Sequence, residues 1–234
     1  MSTETHTKAR VGLLVPSSNT VMEQDLIRGL RDVAHVYAAR MYLVEATQEA
    51  ESAMLDTYFP QAVADIATLK PEVTVFGCTS AGALRGPEYD RKLCARIEEQ
   101  TCGSAVSTIA AVSAAISATQ SSRIAVLTPY VDELNTKIRS TLKASNIEVL
   151  EIEGFGIRDN FELATPTPDE IRERAVALVR RTEPELLFIS CTNFQALSAV
   201  PAIEAATQVA VVTSNSAVIA AVRQQLDAGT MKPT

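Results

Sequence analysis

The chain repeats itself in order, and that repetition limits the folds open to it. "VGLLVPSSN" at 11–19 aligns with "IAVLTPYVD" at 124–132, 113 positions later, so that Pro16 falls on Pro129. The same offset of 113 carries "KPEVTVFGCT" (70–79) onto "EPELLFISCT" (183–192), placing Pro71 on Pro184 and Cys78 on Cys191. An offset of 105 brings "AVST" (105–108) onto "AVVT" (210–213). Prolines and cysteines coincide along with the apolar positions, which points to an internal duplication.

The repeated pieces are β-branched runs, each followed by a turn and a longer amphipathic stretch. Strands are expected at Val11–Val15, Val36–Leu43, Val73–Gly77, Ala105–Thr108, Ile124–Thr128, Ile147–Gly154, Leu186–Ser190 and Val209–Thr213. Helical spacing occupies Glu23–Asp32, Tyr58–Leu69, Tyr89–Gln100, Asp132–Ala144, Asp169–Arg181 and Ser216–Ala228. Thr20 reads as the start signal of the first helix, and "TPTPDE" as that of the helix at Asp169. Glu45–Tyr58 reads as a loop that could close over a cleft. Alternating strands and helices imply parallel sheets covered on both faces. The expected fold is α/β, with two similar parallel-sheet domains related by a pseudo-two-fold and the active site between them. The expected domains are 1–112 with 217–234, and 113–216.

Composition narrows the function. A net charge of −7 without any stripe of Lys or Arg argues against a nucleic-acid partner; Arg180–Arg181 is the kind of small pair that a solvated helix face carries. No run reaches the roughly 18 apolar residues of a membrane span, and the polar start "MSTETHTKAR" has no signal-peptide core. Four cysteines in 234 residues are too few for a disulfide scaffold, and they suggest a reducing, cytoplasmic setting. With no CxxC and only His6 and His35 to help, no metal site is expected.

In open parallel sheets, ligands bind beyond the carboxyl ends of the strands. There lie Pro16–Thr20, Cys78–Gly82, Pro129–Val131, Cys191–Gln195 and Thr213–Ser216. A cysteine at a strand-to-helix turn meets free backbone N–H groups and a helix dipole, which favour the reactive thiolate and lower its pKa. Ser17, Ser18, Asn19 and Thr20, together with Thr79, Ser80, Thr192 and Asn193, supply short polar side chains and N–H groups. These can cradle one or two carboxylates without any Arg or Lys. Cys94 and Cys102 have no repeat partner and read as packing residues. Cys78 and Cys191 read as functional thiols on opposite walls, with a disulfide between them the competing reading. Two opposed thiols can exchange protons on two faces of one carbon, which is racemisation. Alternatively, one can add to an activated alkene while the other handles a proton.

"GLLVPSSNTVMEQDL" (12–26), with "FGCTSAG" (76–82) and "SCTNFQAL" (190–197), resembles the maleate cis–trans isomerase branch of the cofactor-independent aspartate/glutamate racemase superfamily. The resemblance runs from about residue 10 to "VVTSNSAVIAA" (211–221). Glutamate racemases differ in carrying Asp-Ser-Gly where this chain has "PSSN", and a histidine in place of Asn193. Arylmalonate decarboxylases keep only the second cysteine. The resemblance implies that Cys78 adds to C2 of maleate, giving a succinyl-like adduct, and that Cys191 supplies and retrieves the proton at the neighbouring carbon. It places Asn19, Tyr130 and Asn160 on the substrate, while Thr79 and Thr192 hold carboxylates beside Ser18, Ser80 and Asn193. A small dicarboxylate substrate, no cofactor and a homo-oligomer (dimer or higher) are the matching expectations. The alternatives are a two-cysteine racemase, or other thiol-dependent enzyme of the superfamily acting on a small acid, and a binding protein that senses a metabolite.

Overall fold

A computed structural model describes residues 8–230; the amino-terminal stretch with His6, and the last four residues, lie outside it. The first sheet contains β1 (Ala9–Pro16), β2 (Ala34–Met41), β3 (Val73–Phe76) and β4 (Ser104–Ser107) in the order β2-β1-β3-β4. The second contains β5 (Arg123–Thr128), β6 (Glu148–Gly154), β7 (Leu186–Ile189) and β8 (Ala210–Thr213) in the order β6-β5-β7-β8. All strand pairings within the two sheets are parallel. The second half therefore repeats the strand order of the first, as the sequence offset implies.

The eight expected strands are the eight observed among the described residues, with ends moved by a residue or two. The inner strands β3 ("VTVF") and β7 ("LLFI") are buried along their length, whereas the edge strand β2 mixes buried and exposed positions. Inner strands are covered on both faces, so they read as unbroken apolar runs. Alternation then sorts neighbours into different cores. Leu13 packs in a central cluster that also holds Val126, Phe188 and Val218, and so joins the two halves. Leu14 and Phe76 face an outer cluster with Phe59, and Leu127 and Ile189 face another with Ile171 and Ile203. Each fully buried side chain of this size contributes about 2 kcal/mol, so the shared cluster couples the two sheets strongly.

The helices are α1 (Met22–Leu30), α2 (Gln48–Ala53), α3 (Phe59–Ala67), α4 (Thr79–Leu84), α5 (Gly86–Thr101), α6 (Thr108–Ala118), α7 (Asp132–Ala144), α8 (Pro168–Thr182), α9 (Ala196–Thr207) and α10 (Ser214–Thr230). The stretch read as a loop at Glu45–Tyr58 is largely helical. Thr47 caps α2, and a π-turn over Met54–Tyr58 leads into α3, closed by the Phe59 N–H donating to the Met54 carbonyl. Pro60 follows at once, with no N–H to continue the regular ladder. Sequence periodicity also passes over α4, α6 and α9. Helix α6 ("TIAAVSAAISA") is rich in alanine and contributes Ile109, Val112 and Ile116 to the central core, so it shows little polar face. In α9 an exposed Pro201 interrupts the pattern without ending the helix.

Start signals divide. Thr167 caps α8 with a full capping box through Glu170. Thr20 caps nothing: Asn19 Oδ1 instead accepts from the N–H groups of Val21 and Met22, both at 3.0 Å.

Candidate active site

In each sheet the chain leaves its first strand to one side and later returns on the other, which opens a crevice at the carboxyl ends of β1 and β3, and of β5 and β7. Ser17–Thr20 follow β1, Cys78–Ser80 follow β3, Pro129–Tyr130 follow β5, and Cys191–Asn193 follow β7. Asn19, Cys78, Thr79, Ser80, Tyr130, Cys191, Thr192 and Asn193 are buried there, and Asn19, Thr79 and Thr192 bond across the halves.

Cys78 occupies the amino-terminal cap of α4 in extended backbone, and its Sγ stands 3.8 Å from Ser80 Oγ. Cys191 has φ 110°, in the half of conformational space that side chains avoid. It is held there by its N–H donating to Ser214 Oγ (3.1 Å) and by Asn193 N–H donating to its Sγ (3.2 Å). Thr79 Oγ1 donates to the same Ser214 oxygen at 2.9 Å, so one hydroxyl ties the two cysteine turns together. Both cysteines are free thiols. They lie close enough that charge on Cys191 disfavours charge on Cys78, and the Tyr130 hydroxyl feels both sulfurs and hydrogen-bonds Cys191.

The remaining predicted residues form a second cluster. Asn19 Nδ2 donates to Thr192 Oγ1 (3.0 Å), and that hydroxyl donates to the Gly77 carbonyl (3.1 Å). A side chain on Gly77 would collide with Leu13 and with Met22, each about 2.8 Å from the position of its first carbon. Asn160 Nδ2 donates to Ser18 Oγ (2.7 Å), the Asn160 carbonyl accepts from Asn193 Nδ2 (2.6 Å), and Asn193 Oδ1 accepts from the Thr20 N–H (2.9 Å). Thus Ser18, Asn19, Asn160, Thr192 and Asn193 come together, while Thr79 and Ser80 belong to the cysteine cluster. Much of their hydrogen-bonding capacity serves protein partners, so several are walls as much as ligands.

Electrostatics correct one expectation. Backbone N–H groups do approach both sulfurs, yet neither pKa is lowered. Burial pushes the Cys78 thiol well up, and the charge of Glu51 adds to it against weaker help from Ala81 N–H and Ser80. Burial pushes Cys191 up to about 12, countered in part by Tyr130 and the Asn193 N–H. Tyr130 is raised in the same way. Desolvation outweighs the helix-terminus effect once a thiol is enclosed.

Three supporting residues are not among the expected site residues, although Ser214 lies in the strand-end turn Thr213–Ser216. Arg40 on β2 donates to the carbonyls of Ser17 (3.1 Å) and Asn19 (2.9 Å) and pairs with Glu23, fixing the first turn. Ser214 was embedded in a turn whose hydroxyls look alike in sequence. Glu51 on α2 is fully buried and accepts a hydrogen bond from Ser80. Its signal is an acid on the buried stripe that joins Thr47 to Met54 and Leu55, visible only once that stretch is known to be a helix.

The double duty of Asn19 gives a measurable expectation. Asn19→Ala removes a helix cap and leaves the buried Thr192 hydroxyl short of a donor, so it should lower stability by about 2–4 kcal/mol. Urea unfolding checks this, and a change below about 0.5 kcal/mol would refute the bridging role.

The sequence model of the arylmalonate decarboxylase family matches residues 11–233. The chain belongs to the arylmalonate decarboxylase family. A maleate isomerase of Geobacillus stearothermophilus is 24% identical over 96% of this chain and 94% of its own. Among solved structures, the maleate isomerase of Pseudomonas putida S16 with maleate has a TM-score of 0.88 at 24% identity, covering 94% of this chain and 93% of that one. A mutant Nocardia farcinica maleate cis-trans isomerase with a covalently bound succinylcysteine intermediate has a TM-score of 0.85 at 25% identity, covering 94% of both chains. Within the arylmalonate decarboxylase family, this chain has a cysteine at both matched turns. Among its described residues, no group of three or more His, Cys, Asp or Glu could hold a metal ion, and no helix is long and apolar enough to cross a membrane.

Proposed function

We propose that this chain isomerises maleate to fumarate without a cofactor, through a succinyl-like adduct on Cys78. The observation that carries the reading is the meeting of two buried free thiols from matched strand ends in one site. Similarity along nearly the whole chain to enzymes named maleate isomerase, one of them holding a succinylcysteine, supports the same chemistry.

The Cys78 thiolate bonds to C2, and the alkene π pair moves to C3, where it takes the proton of Cys191. The C2–C3 bond is now single and rotates. Cys191 thiolate then removes a proton from C3, the π bond re-forms, and the C2–S bond breaks to release fumarate and the Cys78 thiolate. A high thiol pKa suits Cys191 to this work, because it keeps the proton in place until carbanion character develops at C3. Tyr130 orients that sulfur. Ser18 and Asn160 offer side chains to one carboxylate, and the turns at Asn19, Thr79–Ser80 and Thr192–Asn193 offer backbone donors to both.

The working unit is organised as 1–112 with 217–234, and 113–216. Packing of α10 against α1, β3 and β4 supports a return of the carboxyl-terminal helix to the first half. Free cysteines fit a reducing cytoplasm. Exposed Tyr37 on the edge strand β2, with Tyr42 and Val44 just beyond it, supports a homo-oligomer, and light scattering giving a monomer mass would overturn that part.

Proton NMR of maleate with the purified protein in D2O tests the activity. The fumarate vinyl signal should appear at the expense of maleate. Unchanged maleate, with deuterium entering an amino acid instead, would replace this reading with the racemase. Saturable binding of dicarboxylates without turnover would replace it with the sensor.

A further inference from the structure

The mechanism needs Cys78 as a thiolate, and the structure makes that thiolate costly. Its surroundings supply one group able to take the proton. Ser80 Oγ lies 3.8 Å from Cys78 Sγ and donates its hydroxyl proton to Glu51 Oε1. Thiol, hydroxyl and carboxyl thus form a chain running from the α4 turn to α2. Glu51 is completely buried, and its second oxygen, Oε2, has no hydrogen-bond partner. An enclosed carboxyl oxygen without a partner costs about 1–3 kcal/mol, and more when the carboxyl is charged.

We propose that Glu51 is a positioning residue that accepts the Cys78 proton through Ser80 and so generates the nucleophile. The Cys78 S–H proton passes to Ser80 Oγ as the Ser80 O–H proton passes to Glu51 Oε1. The sulfur keeps the S–H electron pair and uses it to form the C2–S bond. On elimination the pair returns to sulfur and the two protons move back. The charge sum explains why this route is open. With Glu51 ionised, a separate thiolate would put two negative charges into one buried site. Transfer between them keeps a single charge throughout.

The groups that face this pair are Ser80 and the Ala81 N–H from α4, Tyr130 from the end of β5, Cys191 from the end of β7, and Glu133 from α7. Glu133 also accepts from the Gln48 N–H at the start of α2 (3.2 Å), which keeps its charge near Glu51. No cation figures among the groups that shift the two thiols or Glu51. Burial, reinforced by Glu133, pushes Glu51 up to about 8. The accepting form is the carboxylate, whose population grows as pH rises through that value, so the rate rises with pH and levels off above it.

The inference rests on the isomerase reading, and its test separates the two. Glu51→Gln keeps the shape and removes the base, and should lower kcat/KM by about 100-fold near neutral pH and abolish the levelling-off, leaving a rate that keeps climbing with pH as solvent deprotonates the thiol directly. Glu51→Asp should retain the levelling-off at a reduced rate. Ser80→Ala should match Glu51→Gln, and the double variant should be no worse than either, because both cut one chain. A second arm needs no substrate. In a Cys94→Ser, Cys102→Ser background, the rate at which methyl methanethiosulfonate labels Cys78 near neutral pH, read by peptide mass, should fall in Glu51→Gln and lose its levelling-off at high pH. Wild-type pH profiles and labelling rates in Glu51→Gln would overturn the proposal, as would multiplying effects in the double variant. If the wild type turns over no dicarboxylate, the isomerase reading fails while the labelling arm still decides the role of Glu51.

Discussion

Cys78→Ala should abolish isomerisation, with kcat reduced by at least roughly a thousandfold, or about 4 kcal/mol of barrier. The proposed addition passes through a bond to this sulfur, and an alanine methyl cannot form it. The other thiol cannot take over, since Cys191 is held by φ 110°, by Ser214 and by the Asn193 N–H in another position. Folding should be little affected. The replaced group is small, and the side chains that tie the halves together, Thr79 to Ser214 and Asn19 to Thr192, are untouched. Stopped-time NMR of fumarate, with circular dichroism and thermal unfolding alongside, reads both quantities. Near-normal turnover in a folded variant would remove Cys78 from the nucleophile role. Cys94→Ser is the matched control: Cys94 lies on α5, has no counterpart in the repeat, and should cost little activity.

Cys191→Ser is expected to fail differently. Its hydroxyl can take the same hydrogen bonds, yet it is a far weaker acid and, once neutral, a poorer base than a thiolate. Proton delivery to C3 and its removal should both slow, lowering kcat by about 100- to 10,000-fold. Addition by Cys78 is still open to the variant, with slow protonation from elsewhere, and elimination then becomes the bottleneck. A dicarboxylate adduct should therefore accumulate on the Cys78 peptide. Intact-protein mass should rise by one maleic acid, and digestion should place the addition on Cys78. A fast, adduct-free variant would show that Cys191 does not handle the proton. An adduct on any other residue would reverse the roles of the two thiols.

The two variants distinguish residues that the repeat presents as equals. Their turns, "CTS" and "CTN", differ by one residue, and that residue sets the neighbourhood. Ser80 leads to a buried acid, whereas Asn193 leads to Asn160 and the Thr20 N–H. Cys191 has Tyr130 beside it, and Cys78 has Glu51. The duplication therefore supplies two thiols, and divergence of their partners gives them different surroundings, which the proposed mechanism uses as an acid on one side and a nucleophile on the other.

What the sequence determined was the frame: eight strands, their parallel arrangement, the doubled topology and the turns that carry both cysteines. These follow from local patterns, because a strand buried on both faces must be apolar and a strand-end turn must carry small polar residues. What only the tertiary structure decided was the environment of the thiols. A pKa depends on how much water surrounds a group and which charges face it, and neither is a property of neighbours along the chain. Glu51 lies 27 positions before Cys78 in a stretch that reads as a loop, and it reaches the site only because α2 forms and packs on α4. Helix-terminus reasoning applied to Cys78 alone lowers its pKa. Burial beside Glu51 raises it, and makes the source of the thiolate the central question of the site.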